Sequence, residues 1–196
     1  MDKSIYTLGG TAWINLLNTI VMHNKQPTDL LADPAAAVEW LEANQLLYVP
    51  VTRLDAAALA QIRQSLYPVR ELGDRIISDI EQHEALSERV YIELKTRLER
   101  LNIKPAVSRN HDARKLELSY RGVTAIDQIH LVILQSVLDT LNHYSADRIR
   151  KCEHAECILR FIDVSKSGRR RWCSMELCGN RHKAAQYYEK NKKQKA

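Results

Sequence analysis

Apolar residues along this 196-residue chain recur mostly at the three- and four-residue spacing of helices, and at the two-residue spacing of strands in only two stretches. Trp13, Leu16, Leu17 and Ile20 predict a helix over Thr11 to His23. Asp33-Pro34 reads as an N-cap with proline at the first helical position, and Val38 and Leu41 continue a short amphipathic helix to about Asn44. Leu46 to Val51 reads as extended, and Thr52 with Asp55 opens a longer helix. Its seam is Leu59, Ile62, Leu66, Val69, Leu72, Ile76 and Ile80, with a kink expected at Pro68. Leu86, Val90, Leu94, Leu98 and Leu101 mark a further helix, stopped by Asn102 and Pro105.

Between Pro105 and Gly122 the period changes. Leu116, Leu118 and Tyr120 alternate with polar residues, and Asn110-His111-Asp112 supplies turn residues, so a β-hairpin is predicted. Thr124 and Asp127 then cap a helix through Ile126, Ile129, Ile133, Val137 and Leu141, apolar nearly all round and therefore expected at the centre of the core. The chain thus reads as mainly α, with some β. A helical domain with one small hairpin spans residues 1–148, and a distinct unit spans 149–196.

Composition fits a globular chain: 45% hydrophobic and 27% charged residues, with 6 Gly and 5 Pro, exclude collagen-like and wholly disordered classes. Charge adds a boundary. Residues 150–196 hold 13 Lys+Arg against 5 Asp+Glu, net +8, whereas the preceding 149 carry 16 against 19, net −3. Such a split points to an anionic partner for the C-terminal unit, nucleic acid before a membrane surface. The uncharged stretch from Ser4 to Asn24 is broken by Gly9, Gly10, Asn15 and Asn18, and the run Ile129 to Leu138 is too short for a bilayer. The expectation is a cytoplasmic protein without a membrane span.

All four cysteines lie in the basic unit, as Cys152-x4-Cys157, fifteen intervening residues, then Cys173-x4-Cys178. Two close pairs joined by a hairpin-length loop match the tetrahedral preference of Zn²⁺, and one structural zinc per chain is expected; a disulfide pair or free thiols is the alternative. Residues 160–165 alternate, 166–168 can turn, and Arg169 to Cys173 is expected to return as the second strand. Phe161 and Trp172 would form the miniature core, and the chain from Cys178 has helical composition. The order knuckle, hairpin, helix is that of a treble-clef-like finger. His154 and His182 read as surface histidines.

Cys152, Cys157, the run Phe161 to Ser165, the stretch Arg169 to Met175 and Cys178-Gly179-Asn180-Arg181 together resemble the CGNR zinc-finger family. Ile158 stands where the family more often has a small residue. Upstream, Asn18-Thr19 and Trp40-Leu41 before Leu46-Leu47 resemble the ABATE domain that usually precedes this finger, a family associated by its description with stress-induced transcription regulation. The resemblance implies a DNA-binding, stress-response regulator.

Charge supports that expectation independently. A zinc held by four thiolates carries −2, leaving the unit at about +6. Arg169, Arg170, Arg181 and Lys183 are the candidate nucleic-acid contacts, with Arg171 and Arg181 equally able to serve as structural partners of Asp163 or the thiolates. Lys190, Lys192, Lys193 and Lys195 read as a disordered tail adding non-specific affinity. An RNA-binding or protein-docking zinc module is the alternative. An enzyme is not expected, because a closed four-thiolate shell leaves no position for a metal-bound water, and His111-Asp112 and His130 lack a nucleophile setting. The helical domain is expected to form a homodimer or to sense a small-molecule ligand, with Asn15, Asn18 and His130 as candidate lining residues.

Overall fold

The computed structural model describes residues 3–47, 50–109 and 116–194. The chain enters through a 3₁₀ turn into the six-residue helix α1 (Ala12–Leu17), which is buried along almost its whole length. The helix expected to reach His23 ends instead at Asn18. Beyond it, β1 (Ile20–His23) pairs antiparallel with β2 (Gln26–Asp29). Asn24 and Lys25 turn this hairpin with both φ values positive, 49° and 63°, the conformation a tight two-residue turn requires. Residues 18–23 thus follow a local turn and the β preference of Ile20 and Val21 rather than the helical spacing of Trp13 to Ile20.

Helix α2 (Pro34–Ala43) starts as expected, with the Asp33 carboxylate accepting from the N–H of Ala35 at 2.9 Å. Tyr48 and Val49, in the stretch read as extended, lie outside the described residues, and Val51–Arg53 forms a 3₁₀ turn. Asp55 itself caps α3 (Ala56–His83), a 28-residue helix that continues through Pro68 as one element. Ser87 caps α4 (Glu88–Glu99). β3 (Ile103–Arg109) and β4 (Leu116–Gly122) form the predicted hairpin in a register pairing Val107 with Leu118, while the turn expected at 110–112 lies outside the described residues. The Thr124–Asp127 capping box opens α5 (Ala125–His143), with Ile129 and Ile133 wholly buried. Among the described residues no helix is long and apolar enough to cross a membrane.

The core is built around α1, which packs on both α3 and α5. Gly73 on α3 permits the approach, since a Cβ there would come within 2.9 Å of Leu17 Cδ2. The buried polar atoms on α1 find partners: Trp13 Nε1 donates to Thr140 Oγ1 at 2.9 Å, and Trp40 Nε1 to the carbonyl of Asn15 at 3.1 Å. Arg70 reaches from α3 to Asp29 through two bonds of 2.6 and 2.8 Å and to Thr19 Oγ1, tying the first hairpin to the helices. Burial opposes ionisation of Asp29, but the hydrogen bonds from Arg70 and Leu31 outweigh it and hold its pKa below the ordinary value.

The basic unit is seated on this core. Its strand β6 (Arg160–Ile162) pairs on one side with β5 (Ile149–Lys151) and is met on the other by α1 and the loop before it. Asn18 Oδ1 accepts from the Arg160 N–H and Asn18 Nδ2 donates to the Arg160 carbonyl, both at 2.8 Å. The Ile162 N–H donates to the Gly9 carbonyl at 3.0 Å. Gly9 has no room for a side chain, because a Cβ would lie 2.7 Å from Asn15 Oδ1 and 2.9 Å from the Asn15 nitrogen. Asn18→Leu leaves both backbone polar groups of Arg160 unpaired; at roughly 1–3 kcal/mol for each, the expected loss is about 2–6 kcal/mol of unfolding free energy, read by chemical denaturation.

Candidate metal centre

The first cysteine pair sits in the loop between β5 and β6. The Cys152 N–H donates to the Leu159 carbonyl and the Cys157 N–H to the His154 carbonyl, each at 2.9 Å, closing a tight knuckle. The hairpin of the unit therefore brackets the knuckle, and the strand expected over Arg169 to Cys173 does not form. The backbone there has other partners. Asp163, fully buried, accepts from the N–H of Ser165 at 2.9 Å and of Arg170 at 2.8 Å, folding 163–170 into a compact loop. Cys173 follows that loop, Ser174 caps a single wide turn over Met175–Gly179 that carries Cys178, and α6 (Asn180–Gln194) follows directly.

These elements bring all four Sγ atoms within 4.8 Å of one another. Cys157 lies 3.8 Å from Cys173, and Cys173 lies 3.6 Å from Cys178, sulfur to sulfur. A tetrahedron with Zn–S bonds near 2.3 Å has S···S edges of about 3.8 Å, so the spacing is that of a zinc shell. Proton chemistry agrees. Donation from the Cys157 and Cys173 thiols lowers the pKa of Cys152, while its role as donor to Cys152 pushes Cys157 up to about 12. Hydrogen bonding to Cys152 raises Cys173, and burial, followed by the charge on Cys152, raises Cys178. Four thiolates packed this closely repel one another and require a cation among them. The quartet is a site for one structural Zn²⁺, whose binding supplies folding free energy to a segment with a small core of its own.

The surrounding side chains divide between support and exposure. Phe161 is wholly buried, with the Arg170 guanidinium 4.4 Å over its ring. Arg170 also donates through Nε to the Trp172 carbonyl at 2.9 Å and to the Cys173 carbonyl, so its head group is committed to the ligand loop rather than free for phosphate. Arg171 donates to Glu153 at 2.5 Å and lies 4.9 Å over Trp172, whose ring is half-buried beside His182. Arg181 folds back onto the metal site, with Nε donating to the Leu177 carbonyl at 3.0 Å and NH2 reaching Cys178 Sγ at 3.6 Å. It supports a thiolate, the structural alternative raised by the sequence. Arg169 and Lys183 are exposed and make no ion pair among the described residues. His154 accepts from the Glu156 N–H, so neither it nor His182 joins the cluster.

Sequence reasoning passed over Asp163 as an organiser and over Arg148 and Arg150. Burial opposes ionisation of Asp163, yet the Ser165 and Arg170 hydrogen bonds, with Arg148 nearby, prevail and hold its pKa at about 2. Arg148 donates to the Asp163 and Ser165 carbonyls, and Arg150 to that of Gly168. A charged residue inside an apolar run, Phe161-Ile162-Asp163-Val164, was the available signal.

Of the polar residues offered as ligand lining in the helical domain, Asn15 and Asn18 are corrected by their bonding, while His130 lines a shallow cavity with Glu93, Arg97 and Asp127. Asn15 accepts from Gly9 N–H at 2.8 Å and donates to Asn44 at 2.7 Å, and Asn18 holds Arg160 as described. Both are satisfied core groups. His130 bonds Ser65 Oγ at 3.0 Å, and burial, the largest influence, lowers its pKa. His111 and Asp112 lie outside the described residues.

Purified protein is expected to contain one zinc per chain by elemental analysis, and Cys173→Ser to lose it. Arg181→Ala keeps the four ligands but removes a charged donor from Cys178, so it is expected to weaken zinc binding by about 10–100-fold in competition with a chromophoric chelator.

Comparison with protein families agrees with this geometry. Residues 148–191 match the family described as CGNR zinc finger, and residues 10–116 match the ABATE family, described as "Putative stress-induced transcription regulator". A search of curated proteins finds no match. The second family match covers more than half of the chain and the first encloses all four cysteines, so the chain belongs to the ABATE family and carries a C-terminal CGNR zinc finger.

Proposed function

We propose that the chain is a transcription regulator whose zinc finger grips DNA, with the helical domain supplying the regulatory input, either by sensing a ligand or by holding a dimer together. The observation that carries this reading is the placement of unspent positive charge. After Arg170, Arg171 and Arg181 are committed to the ligand loop, Glu153 and a thiolate, Arg169 and Lys183 remain open to solvent. Helix α6 is exposed from Lys183 to Tyr188, and it extends the basic C-terminal segment as helix to Gln194 where a disordered tail was expected. Tyr187 and Tyr188, 64% and 72% exposed, stand on the same helix. A basic helix with open aromatic rings suits contact with phosphates and bases, and a metal-fixed first turn would set its direction.

The role is non-catalytic in this reading, since four thiolates fill the coordination of zinc and leave no place for an activated water. Reduced thiolates suit a cytoplasmic setting. Exposed cations on the finger's body, Lys151, Lys166 and Arg169, favour backbone attraction over detailed base reading, so α6, which carries Lys183, holds whatever sequence preference there is.

Arg169→Ala and Lys183→Ala are each expected to weaken binding to duplex DNA and to lower the slope of log K against log salt by roughly 0.9, with zinc retained. Binding is measured by fluorescence anisotropy with an RNA duplex of the same sequence as competitor. An unchanged slope in the double variant rejects this face as the contact, and preference for the RNA rejects DNA as the partner.

A further inference from the structure

A large hollow lies away from the zinc. It is a cavity of about 760 Å³ enclosed by the end of α3, by α4, by the end of α5 and by the link into the finger. That volume falls within the roughly 300–1,000 Å³ typical of small-molecule sites. Its floor is apolar: Ile80, Leu94 and Ile149 are buried, and Leu98 and Leu141 are half-buried beside them. Tyr91 stands 50% exposed and Leu138 37% exposed in the lining, which Tyr144 joins at the end of α5. A soluble domain has no packing reason to leave such side chains around an open hollow, and an apolar occupant would cover them.

Charge narrows the occupant. The lining holds two carboxylates, Glu84 and Glu99, and one ammonium, Lys95. Lys95 pairs with Glu99 at 3.8 Å, one turn along α4, which leaves the Glu84 carboxylate uncompensated. Glu84 is fixed at the C-terminal end of α3 with φ of 54°, where the carbonyl ends of the helix add further negative potential. Two tyrosine rings in the lining offer π faces to a cation. An anionic amphiphile would meet only Lys95 favourably, and that ammonium is already paired with Glu99.

We propose that this cavity is a binding site for a small lipophilic cation: an aromatic or alkyl body covering Leu94, Leu98 and Leu141, and an amine or quaternary ammonium group compensating Glu84. The position gives such an occupant a route to the finger. Ile149, in the floor, is the first residue of β5, pairs with Ile162 of β6, and precedes the zinc ligand Cys152 by three residues.

The test uses the full zinc-loaded chain and the fluorescent lipophilic cation rhodamine 6G, followed by anisotropy. Saturable binding of one dye per chain is expected, displaced by tetraphenylphosphonium, with the anionic dye 8-anilinonaphthalene-1-sulfonate binding at least tenfold more weakly. Leu98→Trp, which fills the cavity, is expected to abolish binding. Glu84→Gln, an exposed change that leaves the core intact, is expected to weaken it about fivefold, the effect of one charge at short range in a wet site. Circular dichroism and zinc content verify that both variants are folded. Equal binding of the two dyes, a Glu84→Gln variant that binds as tightly as wild type, or saturation at one dye per two chains overturns the proposal. No nucleic acid enters the measurement, so its failure leaves the DNA reading untouched.

Discussion

A three-residue strand with one neighbour has an open edge, and β6 closes that edge with a side chain. Phe161 faces β5, so the peptide groups of Arg160 and Ile162 point the other way, towards α1. There the Asn18 carboxamide matches the donor and acceptor of Arg160, as a neighbouring strand would, and the Gly9 carbonyl takes the Ile162 N–H. The finger's hairpin is thereby seated against the helical domain in a fixed register, and the buried side chains of Phe161 and Ile162 join one continuous core with Ile14 and Leu16. The placement of β6 in turn fixes where the knuckle begins and where Asp163 starts the loop to the second cysteine pair.

The zinc site extends this logic outward. A segment of fewer than fifty residues has little to bury, and here it draws on two other sources of order, a metal and a set of arginines turned inward. Arg148, Arg150 and Arg170 satisfy carbonyls of an irregular loop that has no ladder of its own, and Arg181 backs a thiolate. Three of the 13 basic side chains in residues 150–196 are therefore architectural. Carbonyl acceptors leave those charges in place but fix where the head groups point, so the set free to contact a polyanion directly is smaller than the sequence suggests.

Several elements were legible from the chain alone because their signals are local. The Asp33-Pro34 start of α2, the capping box of α5, the seam of α3 and the alternation in β4 each rest on residues within one or two turns of one another. The failures were places where local signals competed. Trp13 to Ile20 satisfies a helical period, yet the helix stops at Asn18 because that side chain is needed across the interface, and the hairpin turned by Asn24 and Lys25 follows. Arg169 to Cys173 looks like a strand, but Asp163 and the Arg170 side chain take the hydrogen bonds a strand would have used.

The sequence by itself determined the metal centre, since ligand type and spacing are written into Cys152, Cys157, Cys173 and Cys178 and tetrahedral thiolate coordination admits few arrangements of them. It also determined the helical class of the first part, which depends on periodicity. Tertiary structure alone decided which arginines face water, what Asn15 and Asn18 bind, and that α3, α4, α5 and the start of the finger enclose a cavity. The asparagine contacts join groups 29 and 142 positions apart, the arginine contacts groups 2 to 18 apart in an irregular loop, and no periodicity or composition encodes which partner such a polar side chain will find.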